Sequence, residues 1–406
     1  MTLPGKRLLD SKCRMTPAIA GQQAQLYWLA LHLVPGLGTR NALKLIRHFG
    51  DPQRIFHASL SELRACGALP LAVAESIHSG ITFEDASAEA GKAKAIEAEI
   101  VAFSDPRYPQ RLKEIFDPPL LLYARGRVEL LSTHHVAVVG TRRPTPYGRA
   151  VAQKLSRELA RAGLTIVSGL ARGIDTCAHH GALEAGGSTI AVLGNGVDVT
   201  YPRENRKLMD QIVERGLILS EFPLSSTAFP QNFPIRNRII SGLGYAVLVV
   251  EGAQYSGSLI TARLALEQGR EVLAVPGNIT SKPSWGPNLL IKDGAKLIQE
   301  ASDVVEELPL TVRRELAHAA EQTDPTLTNV ETFPKQQASL WQEPSSPLGK
   351  KLLVLLQVDI SQHIDEIIRH CEPASPAQVL SVMSELELFG LVKQLPGKHF
   401  VRVWTS

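Results

Sequence analysis

Cysteine is scarce: Cys13, Cys66, Cys177 and Cys371 are the four in 406 residues, and no two form a C-x-x-C pair. That spacing excludes a zinc finger and a disulfide framework, and a reducing cytoplasm fits it best. Long apolar runs are missing as well. No stretch approaches the roughly 20 residues that cross a bilayer, so no membrane role is expected. The amino terminus has Lys6 and Arg7, but its two leucines are followed by Asp10, Lys12 and Arg14, which leaves no signal-peptide apolar segment; Met15 is a candidate start. Charge of one sign is also lacking, because 43 basic against 40 acidic residues leave a net charge of only +3. Affinity for a nucleic acid must therefore come from clustered charge in one face or cleft.

Nucleotide-enzyme signatures are absent too. After the apolar run 136–139 the chain reads GTRRPTPYG, with prolines where the G-x-G-x-x-G pyrophosphate turn needs glycine, so no dinucleotide is implied. No Gly-Lys-Ser/Thr triplet follows any strand-like run, so ATP hydrolysis has no visible machinery and no cofactor is expected. His179 and His180 are adjacent, diverge on a helix and have no Cys or carboxylate at ligand spacing, so no metal is expected. Glu221 and Glu251 end strand-like runs without an evident partner, which leaves a hydrolase reading with little behind it.

What is present is a repeated unit: an apolar β-type run, a turn rich in Gly, Ser, Thr and Arg, then a helical segment. The runs are 136–139, 164–167, 189–193, 217–219, 245–250 and 271–275. The repeat predicts a parallel sheet whose turns gather at one rim, where backbone N–H groups receive anions. Arg142 and Arg143 follow the first run, and the planar fork of arginine binds two phosphate oxygens at once. At least one of the two is expected on ligand; a structural carboxylate is the alternative for the other. In SGLARGID, Ser168, Gly169 and Arg172 are candidates, and Asp175 reads as a helix cap. Arg203 in YPREN is a further phosphate contact. In FPIRNRIISGL, Arg236, Asn237 and Arg238 open a helix; the two arginines cannot share one stripe, so one is expected at the rim and the other paired internally. Ser256, Gly257 and Ser258 precede a helix as an anion seat, although helix capping alone also explains the serines. Tyr147, Phe229, Phe233 and Tyr255 are candidate base stackers or packing residues.

The expected fold class is α/β: a central Rossmann-like parallel-sheet domain, an N-terminal helical domain of helix-hairpin-helix type and a C-terminal winged helix. The expected boundaries are a flexible 1–24, a helical 25–80, a connector over 81–135, the Rossmann-like domain over 136–308, a linker over 309–349 and the winged helix over 350–406. Within the connector, 103–108 reads as a strand leading through the Pro118-Pro119 turn into 120–123. In the helical part, VPGLGTRNALKLIRHFG places a Pro-Gly-Leu-Gly turn before a basic helix, as in helix-hairpin-helix motifs; a helix cap and tight turn serving only fold geometry is the alternative. Near the carboxyl end, Ser375-Pro376 starts a helix over 377–389 that has Glu385 and Glu387 but no Lys or Arg, so it is not expected to read duplex DNA.

The segments GTRRPTPYG, SGLARGID, HHGALEAGG, LGNGVDVTYPREN, FPIRNRIISGL, SGSLITARLALEQGREVLAVPGN and GPNLLIKDGA together resemble the bacterial DNA-processing protein A family, DprA or Smf. The resemblance covers nearly the whole chain. It implies a Rossmann-like domain that binds single-stranded DNA without cutting it, a homodimer, and loading of the RecA recombinase onto incoming DNA in natural transformation. It also implies that Arg142, in the family's GTR motif, contacts phosphate and that Arg203 matches a basic position. Gln231 stands where the family often has another basic residue. Two competing readings are a nucleoside-monophosphate-cleaving phosphoribohydrolase of the lysine-decarboxylase-like group, whose PGGxGTxxE motif is not matched by EGAQYSGSLIT, and a regulatory module that senses a small nucleotide.

Overall fold

In the computed structural model, residues 17–66, 69–323, 346–358, 360–388 and 391–403 are described. The elements run α1 (Pro17–His32), α2 (Gly38–Phe49), α3 (Pro52–His57), α4 (Leu60–Ala65), α5 (Leu71–Ser79), α6 (Phe83–Ala95), β1 (Ala98–Ala102), α7 (Gln110–Lys113) and β2 (Leu121–Gly126). The alternating part follows: β3 (His135–Val139), α8 (Pro146–Arg161), β4 (Thr165–Ser168), α9 (Ile174–Glu184), β5 (Thr189–Val192), α10 (Arg206–Arg215), β6 (Leu217–Ser220), α11 (Asn232–Leu243), β7 (Ala246–Val249), α12 (Gly257–Glu267) and β8 (Glu271–Ala274). Then come α13 (Trp285–Lys292), β9 (Lys296–Leu297), α14 (Ala301–Glu306), α15 (Leu310–Thr323), α16 (Pro347–Leu355), β10 (Gln362–His363), α17 (Ile364–His370), α18 (Pro376–Leu388), β11 (Val392–Leu395) and β12 (His399–Arg402). The chain divides into two compact units, one of residues 1–133, 189–244 and 267–269, the other of 134–188, 245–266 and 270–406.

In the first unit, local signals place the front helices. Asp51 caps α3 by accepting from Arg54 N–H at 2.9 Å, with Pro52 as the first helical residue. Ser59 and Glu62 form a reciprocal capping box at α4. Trp28, Leu31, Leu37, Leu43, Leu45, Ile55, Leu63 and Ile77 close one core around these helices. Gly36 (φ +74°) and Gly38 (φ +65°) make the left-handed turn between α1 and α2. Strand β1 pairs antiparallel with β2, β2 antiparallel with β6, and β6 parallel with β5. The lead-in strand is thus Ala98–Ala102. Residues 103–108, expected as strand, form turns in which Asp105 N–H bonds to Ala102 O and Tyr108 N–H to Asp105 O. The Asp105-Pro106 step and Pro109 explain this, since proline cannot donate to a ladder.

In the second unit, the strand order is β4-β3-β7-β8-β9 and all the pairs given are parallel. Val136, Val138, Ile166, Leu248 and Leu273 are fully buried among Leu155, Leu159, Ile174 and Ala178 of the covering helices. Buried parallel strands read as near-continuous apolar runs, which is why the six runs in the sequence match strands to within about two residues. The stretch after Leu308, expected as linker, is instead helical: Val312 and Leu316, one turn apart, join the same core. His134 Nε2 lies 2.8 Å from a Glu315 oxygen, fastening α15 at the start of β3. Most of the expected linker, 324–345, lies outside the described residues, as do Cys13, Met15 and Phe389.

The carboxyl-terminal helices and the antiparallel order β10-β12-β11 enclose a separate core of Leu352, Ile364, Ile367, Val379, Met383, Leu386 and Phe400, the three-helix and hairpin arrangement of a winged helix. Ser375 Oγ accepts from Gln378 N–H and caps α18. Leu316→Ala is expected to destabilise the protein by about 2 kcal/mol, as large-to-small core substitutions do. Thermal unfolding checks it; an unchanged midpoint would show that α15 is not part of the core.

Candidate nucleic-acid interface

Because β4, β3, β7 and β8 are parallel, the loops following them open at one edge of the second unit. Glu251, just past β7, organises the first of these loops. Its backbone oxygen accepts from Thr141 N–H at 2.7 Å, and its buried carboxylate accepts from Thr145 N–H at 2.9 Å and from the Thr145 hydroxyl. Burial raises the Glu251 carboxyl above its usual range, and the two Thr145 donors pull it back. Thr145 Oγ1 also accepts from Gly148 N–H and so caps α8. Between these anchors Arg142 and Arg143 are exposed.

The loop after β4 is held differently. Asp175, buried in the first turn of α9, accepts from Gly169 N–H at 3.2 Å and from Ala171 N–H at 3.4 Å. His179 Nε2 accepts from Leu170 N–H at 3.3 Å. Three consecutive amides therefore point at the protein's own side chains. Ser168 Oγ–H donates to Val138 O at 2.6 Å and lies buried between strands. Of this segment's candidates, Arg172 alone has an exposed side chain; Gly169 and Ser168 are buried. Gly173 (φ +81°) closes the loop, and a Cβ there would sit 2.4 Å from Thr141 O. After β7, Ser256 Oγ and Ser258 Oγ bond to each other at 2.8 Å; Ser258 is buried, Gly257 is exposed, and the neighbouring Tyr255 is 91% exposed. The second unit thus holds Arg142, Arg143, Ser168, Gly169, Arg172, Ser256, Gly257 and Ser258.

Arg203, Arg236, Asn237 and Arg238 belong to the first unit. Arg203 is exposed on a short turn, Arg203–Asn205. Asn237 is part-buried, whereas both arginines of α11 are buried, against the expectation that one would reach the rim. Arg236 Nη1 donates to Val192 O. Arg238 grips Glu221 with both terminal nitrogens, at 2.8 and 2.6 Å, and its Nε lies 3.3 Å from Asp117. Burial opposes the Arg238 charge, but Glu221 and Asp117 more than offset it and hold its pKa above the usual value. Both strand-end glutamates are thus committed, Glu251 to Thr145 and Glu221 to Arg238, although neither partner was evident in the sequence. Beside Arg238 a cavity of about 470 Å³ is lined by Gly38, Thr39, Arg40, Asp117, Glu221 and His32, whose imidazole is lowered by burial to about 4.

Among the candidate stackers, Tyr147 packs on the core and its hydroxyl donates to Pro276 O at 2.9 Å. Phe233 stacks against Tyr201, a ring that sequence reasoning missed because it stands alone between Thr200 and Pro202 with no periodic neighbour.

Parallel strands with arginine-bearing loops at one edge, together with a helical front and a winged helix, define a Rossmann-like α/β protein of multidomain type. Residues 99–309 match the family described as DNA recombination-mediator protein A, and residues 336–398 match the DprA winged helix domain. The chain belongs to the DNA recombination-mediator protein A family. It is 49% identical over 210 residues to DNA processing protein DprA of Bacillus subtilis, covering 52% of this chain and 71% of that one. It is 35% identical over 401 residues to Protein Smf of Synechocystis, covering 93% and 98%. Among solved structures it is similar to DNA processing protein A from Streptococcus pneumoniae, with 38% identity, a TM-score of 0.64 and coverage of 70% and 98%.

Gly173→Ala is expected to cost at least about 2 kcal/mol, since it places a side chain in a left-handed conformation and against a carbonyl. Chemical denaturation measures it; a neutral result would mean that the Arg172 loop relaxes without cost.

Proposed function

We propose that this protein holds single-stranded DNA along the strand-end loops by phosphate contacts, without catalysis, and delivers it to the RecA recombinase during natural transformation. The observation that carries the reading is the exposure of Arg142, Arg143 and Arg172 on loops at one edge of a parallel sheet. Arg203 in the first unit adds a further exposed guanidinium. Family membership supports the DNA-processing role, with the protein acting in the cytoplasm as a homodimer. Ser256, Ser258, Gly257 and Asn237 serve as secondary contacts, and Gly169, Ser168, Arg236 and Arg238 shape the loops and the α11 start that present them. The carboxylates favour binding over hydrolysis, because Glu221 and Glu251 are spent on internal donors.

Arg142→Ala and Arg143→Ala are each expected to weaken binding of a labelled single-stranded oligonucleotide several-fold, with a shallower salt dependence, in anisotropy titrations. Undiminished binding in the double variant would overturn the proposed grip, and hydrolysis of a nucleoside monophosphate would favour the enzyme reading.

The winged helix is assigned to protein contacts instead of duplex reading. Gln378, Ser381, Ser384, Glu385 and Glu387 are exposed on α18, and Glu387 accepts from Gln394 N–H of β11 at 3.1 Å. An acidic recognition helix repels phosphate. A chain ending at Gly349 is expected to keep most of its DNA affinity; loss of most of it would contradict this assignment.

A further inference from the structure

Phosphate contacts alone give no preference for single strands over duplex, since both present phosphodiester backbones and the duplex has the higher charge density. A second feature of the first unit supplies such a distinction. Tyr201 is 43% exposed, and its ring centroid lies 5.6 Å from that of Phe233 with planes inclined by 33°. That geometry falls within the range of offset aromatic pairs. Phe233, in the first turn of α11, is fixed from several sides. Gly194 lies against it closely enough that a Cβ would stand 3.1 Å from the ring, and Asn232 Nδ2 ties the helix start to Gly194 O at 2.9 Å. The Arg236 guanidinium, 5.9 Å from the Phe233 centroid, is itself anchored on Val192 O. Two residues beyond Tyr201, after the buried Pro202, stands the exposed Arg203.

We propose that Tyr201, braced by Phe233, is a stacking platform for an unpaired nucleobase, with Arg203 taking a neighbouring phosphate. The proposal rests on the single-stranded-DNA reading above and deepens it: Tyr201 sets the preference for single strands. An exposed ring held on an anchored second ring is preorganised, so little side-chain freedom is lost when a base settles on it. Every base has a π face, so the contact tolerates any sequence, whereas bases stacked inside a duplex cannot reach it. Buried Arg236 then acts as a positioning residue, through Phe233.

The test compares wild type with Tyr201→Ala and Tyr201→Phe in anisotropy titrations against three labelled probes of equal length: a single-stranded oligonucleotide, a fully abasic strand of the same charge, and a duplex. Tyr201→Ala is expected to weaken the base-bearing single strand about fivefold or more, leave the abasic strand and duplex unchanged, and so erase the single-strand preference. Tyr201→Phe is expected to retain it. Circular dichroism and thermal melting confirm that the variants are folded. Equal loss on the abasic and base-bearing strands, or no loss on either, would overturn the platform while leaving the phosphate grip standing. Failure of the wild type to bind any strand would instead sink the DNA reading itself and the platform with it.

Discussion

Glu251, just past β7, accepts three hydrogen bonds from the loop after β3, and the placement of Arg142 and Arg143 depends on it. Its main-chain oxygen fixes Thr141, and its carboxylate fixes Thr145, which in turn caps α8. Both ends of the arginine-bearing segment are thereby pinned to the neighbouring parallel strand. A buried carboxylate is costly unless it is well bonded, and here the bonds are spent on loop geometry. The long side chains between the anchors are left exposed.

The arginines sort into two populations by burial. Arg236 and Arg238 are buried in the first unit with a carbonyl and two carboxylates for company, and they hold α11 in place. Arg142, Arg143, Arg172 and Arg203 are exposed. The same economy applies to backbone donors. The amides of Gly169, Leu170 and Ala171, which resemble an anion seat, are taken by Asp175 and His179. The Arg172 side chain of that loop is exposed. Guanidinium groups grip a phosphate backbone without reading its sequence.

The strands were legible because buried parallel strands are written as unbroken apolar runs, and the recognition helix of the winged helix because Ser375-Pro376 marks its start. The lead-in strand lies at Ala98–Ala102 and not at 103–108 because Pro106 and Pro109 cannot donate to a ladder. Helix α15 was missed because, among its described side chains, Val312 and Leu316 are the two that join the core, too little to stand out without the core they pack on. The burial of Arg236 and Arg238 was illegible for a different reason: the Arg238 partners, Glu221 and Asp117, are distant in sequence, and nothing in a local pattern joins them. The same holds for Tyr201, whose partner Phe233 comes from the start of α11.

The central claim is that single-stranded DNA lies on the strand-end loops. Amide hydrogen exchange of the full chain, with and without an oligonucleotide of single-stranded DNA, tests it most directly. The account predicts protection concentrated at residues 140–148, 170–173, 199–204 and 253–258, with the helices of the front and of the winged helix unchanged. Protection confined to α2 or α18, with these loops unaffected, would contradict it.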